Sequence, residues 1–475
     1  MVKTTYSTRQ VADMADVHRD TLLRWLREGR IPEPSRDRNN WRVFTSEEAD
    51  AIVHYAKGTT PSTSSTVRDA QSAYHLRLPY ADSIPRLCEL DWDFVDANTR
   101  YLTHSIHPYP AKFIPQIPNA IIQELSSVNE TILDPFCGSG TALVEALRLG
   151  RHAIGVDANP LACLISQAKT TRISGEEAKV LYGLAEEIAS VGQQASIGTL
   201  PLFPDLPQVP ISEGDRPTSK GITEWFDQHV IDELALIKKK CLALPSSQVR
   251  QLALVAFSSI IVAVSQQDSD TRYVHREKNI MPGDTLQRFS RALDQIIRRT
   301  LELTAEVDER VTAQVFKANV LDAPQVGLVD LVVCSPPYPN AFSYHLYHRT
   351  RMEWLDMDQQ RFKSEEIGSH RKYSRKGPNA ATVDTFRSEL QTILSWLAVQ
   401  VRPSRHVCFV IGDSTIKGET IKNDQLLIDV ATSLGFRLEA NINRRLQDTK
   451  KHFNPSIGKI KEEHIVILRN AGERT

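Results

Sequence analysis

Cys334-Ser335-Pro336-Pro337-Tyr338 carries the residue types best suited to chemistry in this chain. It follows the apolar run Val329-Asp330-Leu331-Val332-Val333, which reads as a short buried strand. Neither proline nitrogen can donate to a strand ladder, so the strand must stop at Ser335. Its end presents a hydroxyl, two carbonyls and an aromatic ring, a set that suits a flat and polar ligand. The Ser335 hydroxyl and the Pro336 carbonyl can accept both protons of an amine on such a ligand. That draws the nitrogen toward tetrahedral geometry and localises its lone pair. The prolines hold the carbonyl still, so the acceptors are preorganised. Tyr338 offers a face on which a planar ligand can stack. No cysteine nucleophile is needed, and Cys137 and Cys334 read as small packing residues.

A second constellation is Asp134-Pro135-Phe136-Cys137-Gly138-Ser139-Gly140-Thr141. It follows the strand-like Thr131-Ile132-Leu133 and precedes a helix over 142–149, with two glycines where the chain must turn beneath a ligand. Leu143 stands where a dinucleotide loop has its third glycine, and Asp134 would repel a pyrophosphate. The same carboxylate suits an ammonium group. Asp157, closing the next strand at Ala153–Asp157, is placed to accept from ribose hydroxyls. A nucleoside with an amino-acid tail and no phosphate is S-adenosylmethionine. Its sulfonium methyl is already activated, so placing it in line with an amine supplies most of the acceleration.

A larger scaffold must bring these pieces together. With 475 residues the chain should form two or three domains. It is 41% hydrophobic and 24% charged, as a soluble globular protein is, and its formal net charge of -1 leaves nucleic-acid contact to local basic patches. The six cysteines (88, 137, 163, 241, 334, 408) include no CxxC pair. That argues against a zinc site or disulfide framework and fits a reducing cytoplasm. MVKTTYSTRQ lacks the apolar region of a signal peptide, and the serine-interrupted run Leu252–Val264 is too short to span a membrane. Strand, helix, strand, helix from 131 onward predicts a right-handed parallel sheet in an α/β fold. Further strands are expected at 313–319, 329–336, 406–413, 437–444 and 463–469, with a helix at 424–434. Residues 171–311 read as a helical insertion, with helices near 223–243, 247–266 and 284–310. The basic-aromatic link Arg272-Tyr273-Val274-His275-Arg276 joins the last two.

DPFCGSGT resembles the first motif, and SPPY the catalytic motif, of the amino-methyltransferases that act on nucleic-acid bases. The resemblance implies a Rossmann-like, S-adenosylmethionine-dependent methyltransferase domain over 106–475, its insertion a candidate for target recognition. Ser335, Pro336, Pro337 and Tyr338 become the catalytic residues. Asp134, Pro135, Phe136, Gly138, Gly140 and Thr141 become the cofactor loop, followed by Asp157 and Ala158. His107-Pro108-Tyr109-Pro110-Ala111-Lys112-Phe113 is similar to the cofactor-side motif, so Lys112 and Phe113 are assigned to the cofactor, Phe113 in the methionine pocket. Asn319 would meet adenine, with Asp322 competing for that role. The strand ending at Asp134 is implied to lie beside the one ending at Ser335. In this family serine before Pro-Pro-Tyr goes with cytosine, and Asp or Asn with adenine. N4-methylation of a flipped cytosine is therefore the leading expectation and N6-methylation of adenine the runner-up. The implied setting is a cytoplasmic restriction-modification or related defence system. Its partners would be double-stranded DNA and a cognate restriction endonuclease or other defence subunits, with no membrane and no metal. Two other readings stay open: a DNA-binding regulator whose domain only senses the cofactor, and an RNA base methyltransferase.

Residues 1–57 read as a separate module. A capping-box pattern at Ser7-Thr8-Arg9-Gln10 opens a helix with Val11 and Met14 inward, a second helix runs from about Arg19 to Glu28, and a strand at 41–44 precedes a third helix. YSTRQVADMADVHRDTLLRWLREGRIPEP…RNNWRVFTSEEADAI resembles the winged helix-turn-helix of MerR-like and excisionase-like proteins. By that resemblance Arg19, Thr21 and Arg24 lie on or near the groove-entering helix and Arg38 and Arg42 on the wing. Residues 58–105 read as a polar linker and lead-in. Further DNA contacts are expected from Arg349 just past the catalytic motif, from Arg371 and Lys372 in a basic loop over 361–376, and from Arg444 and Lys451 in a basic run over 444–461.

Overall fold

The structure, a computed structural model, describes residues 5–15, 17, 21–22, 25–26, 31–32, 34–36, 42–56, 83–94, 97–111, 113–198, 216–217, 221–339, 342–375, 377, 380–445 and 462–472. The chain divides between Pro79 and Tyr80 into two units. In the first, β1 (Thr5–Ser7), α1 (Thr8–Met14), β2 (Ser35–Arg36), β3 (Arg42–Thr45) and α2 (Ser46–Ala56) share a core of Val11, Ala12, Leu22, Leu26, Phe44 and Ile52. Both β1 and β2 pair antiparallel with β3. A reciprocal cap opens α2: Thr45 N–H donates to Glu48 Oε2 at 2.8 Å and Glu48 N–H donates to Thr45 Oγ1 at 3.2 Å. Met14, expected inward, points outward, because Val11, Ala12 and Ala15 already fill the buried face of α1. Thr21 is helical and Arg42 lies on β3, whereas Arg19, Arg24 and Arg38 fall outside the described residues.

The second unit contains α3 (Ser83–Glu89), α4 (Gln116–Leu125), β4 (Thr131–Asp134), α5 (Thr141–Arg148), β5 (His152–Asp157), α6 (Pro160–Thr170), α7 (Gly175–Gly198), α8 (Gln228–Leu242) and α9 (Ser247–Ile261). It continues with β6 (Gln267–Ser269), β7 (Arg272–His275), α10 (Asp284–Glu306), β8 (Ala313–Lys317), β9 (Val329–Cys334), α11 (Arg349–Trp354), α12 (Gln359–Glu365) and α13 (Val383–Gln400). It ends with β10 (Val401–Gly412), the hairpin β11 (Ser414–Ile416) and β12 (Glu419–Ile421), α14 (Asn423–Ser433), β13 (Phe436–Arg445) and β14 (Glu462–Asn470). Seven strands form one sheet in the order β13-β14-β10-β9-β4-β5-β8. Its pairs are parallel except where β14 meets β10 and β13. From β4 the chain winds outward through β5 to β8, then returns to β9 on the other side of β4. Strand order thus reverses between β4 and β9, the place where such sheets bind ligands at their carboxyl ends.

Alternation along the strands builds two cores. Leu133, Val332, Phe409 and Val466 face α13 and α14. Ile132, Leu331, Val333, Cys408 and Ile467 face α3, α4 and α5. Burial on both faces explains the continuous apolar run of β9. The insertion packs α7 to α10 around Leu181, Leu234, Phe257 and Phe289, and its core takes in Leu161 and Ile165 of α6 and Trp354 of α11. Among the described residues no helix is long and apolar enough to cross a membrane.

Three expectations are corrected here. The link 272–276 is no linker: Arg272–His275 is one strand of the β6–β7 hairpin. Residues 361–376 hold α12 and a helical turn at His370–Tyr373, so much of the expected basic loop is helical. Residues 83–105, taken as lead-in, belong to the second unit, where Leu87, Trp92 and Leu102 are buried.

Glu145 on α5 anchors that segment. Its fully buried carboxylate accepts from Tyr101 Oη at 2.7 Å, Asn119 Nδ2 at 2.6 Å and Arg148 Nη1 at 3.3 Å, and meets His104 Nε2 at 2.8 Å. Burial alone would raise its pKa, but the bonds and charges of His104 and Arg148 hold it below the usual carboxylate range. Glu145→Ala takes this acceptor from the buried His104 and from the half-buried Tyr101 and Asn119, while Arg148 keeps Glu306. It is expected to cost about 3–5 kcal/mol, read as a lower denaturation midpoint of the second unit.

Candidate functional site

The site begins with two strands that end in aspartates. Asp134 Oδ1 accepts Phe136 N–H at 3.0 Å, and Asp157 Oδ1 accepts Asn159 N–H at 2.8 Å. Each aspartate thereby turns the chain out of the sheet. Asn159 then caps α6 by accepting Leu161 N–H, with Pro160 at the first helical position. Asp157 Oδ2 also accepts Gly138 N–H at 2.8 Å, tying the end of β5 to the glycine loop. Gly138 has φ +49° and lies beneath the Tyr109 ring. Gly140 has φ +77°, and a Cβ there would lie 2.8 Å from Ser166 Cβ, so only glycine lets α5 approach α6.

The two strand ends and the glycine loop open on one cavity of about 400 Å³. Phe113, Asp134, Pro135, Phe136, Gly138, Thr141, Asp157, Ala158 and Asn319 line it, and so do Ser335, Pro336, Pro337 and Tyr338. The register explains the meeting: Leu133 of β4 pairs with Val332 of β9, which brings Asp134 and Ser335 to the same sheet edge. Asp134 is buried and forms no ion pair among the described residues. Burial pushes its pKa up to about 8, against the Phe136 hydrogen bond and with a further rise from Asp157. Burial likewise raises Asp157 to about 6. A buried carboxylate without a cation, opening on a cavity large enough for a nucleoside, fits an ammonium-bearing ligand.

On the other side, the Tyr338 hydroxyl donates to Val410 O and Glu463 Oε1, each at 3.2 Å, and lies 3.4 Å from Ser335 Oγ. Its ring is fixed while one side faces the cavity. The loop after α12 closes over this backbone. Gly368, at φ +73°, approaches so near that a Cβ would lie 2.6 Å from Tyr338 O.

Not every expected residue lies here. Gly140 does not line the cavity; its glycine serves helix packing. Asn319 lines it while Asp322 does not, and Asn319 also accepts Leu321 N–H at 3.0 Å. Lys112 and Lys451 lie outside the described residues. Arg349 donates to Glu353 and stacks over Tyr273, Lys372 pairs with Glu389, and Arg371 is exposed on the turn at 370–373. Arg444 is the clear departure. Read as a surface contact, it is buried in the cavity wall, because the end of β13 pairs with β14 beside β10. Sequence reasoning gave no role to Glu463, Tyr109 or Glu366, while Tyr344, just past the catalytic motif, lines the cavity as well. Tyr344 stacks on Tyr109 with ring centres 5.8 Å apart, and Glu366 accepts its N–H. Tyr109 sits in the motif that was recognised, so its neighbours offered a signal; Glu463 offered none.

Residues 13–168 match the model of the DNA methylase family N6_N4_Mtase, a span that takes in the glycine loop and stops before Ser335. Type II methyltransferase M.MvaI of Kocuria varians is 29% identical over 291 residues, covering 56% of this chain and 60% of that protein. Type II methyltransferase M.MjaII of Methanocaldococcus jannaschii is 37% identical over 97 residues, 19% of this chain and 18% of that protein. The chain thus spans less than two thirds of the length of either relative. Among solved structures, the rRNA methyltransferase aviRa of Streptomyces viridochromogenes is 12% identical, with a TM-score of 0.32 over 83% of this chain and 97% of that one. The strand order and the loop, with the family match, fit the Rossmann-like fold of methyltransferases that use S-adenosylmethionine. Within that class, the similarity in sequence is to DNA methyltransferases of the N6/N4 type.

Proposed function

We propose that the chain is a site-specific DNA methyltransferase that modifies the exocyclic amine of an extruded cytosine, giving N4-methylcytosine. The observation that carries this reading is the shared cavity of Asp134 and Ser335 at the reversal point of the sheet. When bound, S-adenosylmethionine supplies an activated methyl group. Asp134 then anchors the ammonium end, and Asp157 receives the ribose. Ser335 Oγ and the Pro336 carbonyl accept the two amine protons, which readies the nitrogen's lone pair. Tyr338, pinned through its hydroxyl, keeps its ring as a fixed platform for the base. The insertion reads the target, and the first unit adds DNA contacts through Thr21, Arg42 and their neighbours. A role beside a restriction endonuclease in the cytoplasm fits the similarity to Type II methyltransferases.

Long-read sequencing of DNA from cells expressing the protein tests this directly. A single motif carrying N4-methylcytosine is the expected result. Methyl groups on adenine would move the assignment of the base, and methyl groups only in RNA would overturn it. Deleting residues 1–57 is expected to leave the modified motif unchanged while lowering DNA affinity severalfold at physiological salt, since phosphate contacts add affinity without reading sequence. A changed motif would make the first unit the target reader.

A further inference from the structure

Arg444, next to last in β13, and Glu463, second in β14, stand directly opposite each other in the ladder. Both lie on the side of β9 away from β4, β5 and β8, and hence on the side away from the cofactor loop. Both line the cavity. Arg444 Nη1 donates to Glu463 Oε2 at 3.0 Å, and Glu463 Oε1 accepts from Tyr338 Oη, which in turn meets Ser335 Oγ. A guanidinium is therefore joined by three contacts to the hydroxyl assigned to the base amine. Its side chain is 4% exposed, and its Nε–H is buried with no acceptor among the described residues. A buried donor left unsatisfied is costly, and more so on a charged group. An acceptor on a bound ligand would remove that cost.

The chemistry of the base supplies one. Beside the exocyclic amine, cytosine carries the acceptor N3 and adenine the acceptor N1. Thymine, uracil and guanine carry an N–H at the corresponding ring position, which would face a guanidinium donor to donor. Glu463 holds the planar guanidinium in one orientation, and its carboxylate balances the buried charge.

We propose that Arg444 is a specificity-determining residue: it donates to the ring nitrogen next to the target amine, with Glu463 as its positioning residue. This rests on the reading of Ser335 as the amine's acceptor. Arg444 would then read the ring nitrogen itself, adding to the rejection of oxo-bearing bases that the amine acceptors Ser335 and Pro336 already make.

The test uses the full chain and two duplexes of the modified motif, one with the target cytosine and one with 3-deazacytosine, which lacks the N3 acceptor. For the unaltered protein, kcat/KM should fall about tenfold to a hundredfold on the analogue. Arg444→Met should be slow on both duplexes and no longer tell them apart. Any effect of the analogue on base pairing is common to both proteins and cancels in the ratio. Because Arg444→Met leaves Glu463 buried and unpaired, Arg444→Met with Glu463→Gln serves as the charge-balanced variant, with S-adenosylmethionine affinity as the check on folding. If either variant keeps the full analogue penalty, the inference is overturned while the methyltransferase reading stands. If the unaltered protein methylates neither duplex, both are overturned. If the methyl group falls on adenine, 1-deazaadenine takes the analogue's place.

Discussion

Ser335→Ala is expected to lower the rate of methyl transfer by about 10²–10³-fold while leaving S-adenosylmethionine affinity within about twofold. The two effects separate because Ser335 and Asp134 sit on different strands. Asp134 turns the chain through its own bond to Phe136 N–H, so truncating Ser335 does not disturb it. Truncation removes one of the two proposed amine acceptors and leaves the Pro336 carbonyl, so residual turnover is expected. Folding should survive. Among the described residues the Ser335 hydroxyl meets only Tyr338 Oη, at 3.4 Å, and that hydroxyl keeps Val410 O and Glu463 as acceptors. Single-turnover transfer of a labelled methyl group, set beside cofactor titration, reads both quantities. A rate unchanged within a factor of three would remove Ser335 from the chemistry and, with it, the basis for favouring cytosine.

What could be read from the sequence were features that the local chain enforces. Pro336 and Pro337 end a strand whatever surrounds them. Asp134 and Asp157 end theirs by accepting an N–H two residues on, and the apolar run of β9 announces burial on both faces. The meeting of β4 with β9 came from the family resemblance, because 171–311 separates them along the chain. Arg444 shows why the rest stayed hidden. A run of lysines and arginines looks solvated by composition, and only cross-strand pairing with Glu463 buries one member of it. The segment at 83–105 is a similar case. Leu87, Trp92 and Leu102 have no regular period, and their burial depends on docking against α4 and α5. In α13 a signal was present, in the Thr382–Thr385 capping box and the apolar spacing after it, and the sequence reading passes over it.

Cofactor binding should depend on pH through Asp134. With no ligand bound, burial keeps this carboxyl protonated up to about pH 8, whereas an unfolded aspartate ionises near 3.8. The folded group holds its proton more tightly, so its contribution to stability is full below the unfolded pKa and is lost as pH rises through about 8. Asp157 acts in the same direction over the range up to about 6. The cofactor-free protein should therefore melt at progressively lower temperature as pH rises from 5 to 8. Binding has the opposite sign. An ammonium group pairs with the ionised carboxylate, so below about pH 8 each binding event must release a proton. Affinity for S-adenosylmethionine should accordingly rise by up to about tenfold per pH unit between pH 6 and 8. Above that range the gain should end, as the ligand's own α-amino group begins to lose its proton, near 7.7–8.0 in a model α-amine. Asp134→Asn should bind on the order of a hundredfold more weakly at pH 8 and lose most of the slope. Calorimetric titration at pH 7 in buffers of different ionisation enthalpy should find close to one proton released by the unaltered protein and close to none by the variant. A dissociation constant that stays flat from pH 6 to 8 would take the ammonium contact away from Asp134. The cavity would then have to hold its ligand by the ribose and the ring alone, through Asp157 and Asn319.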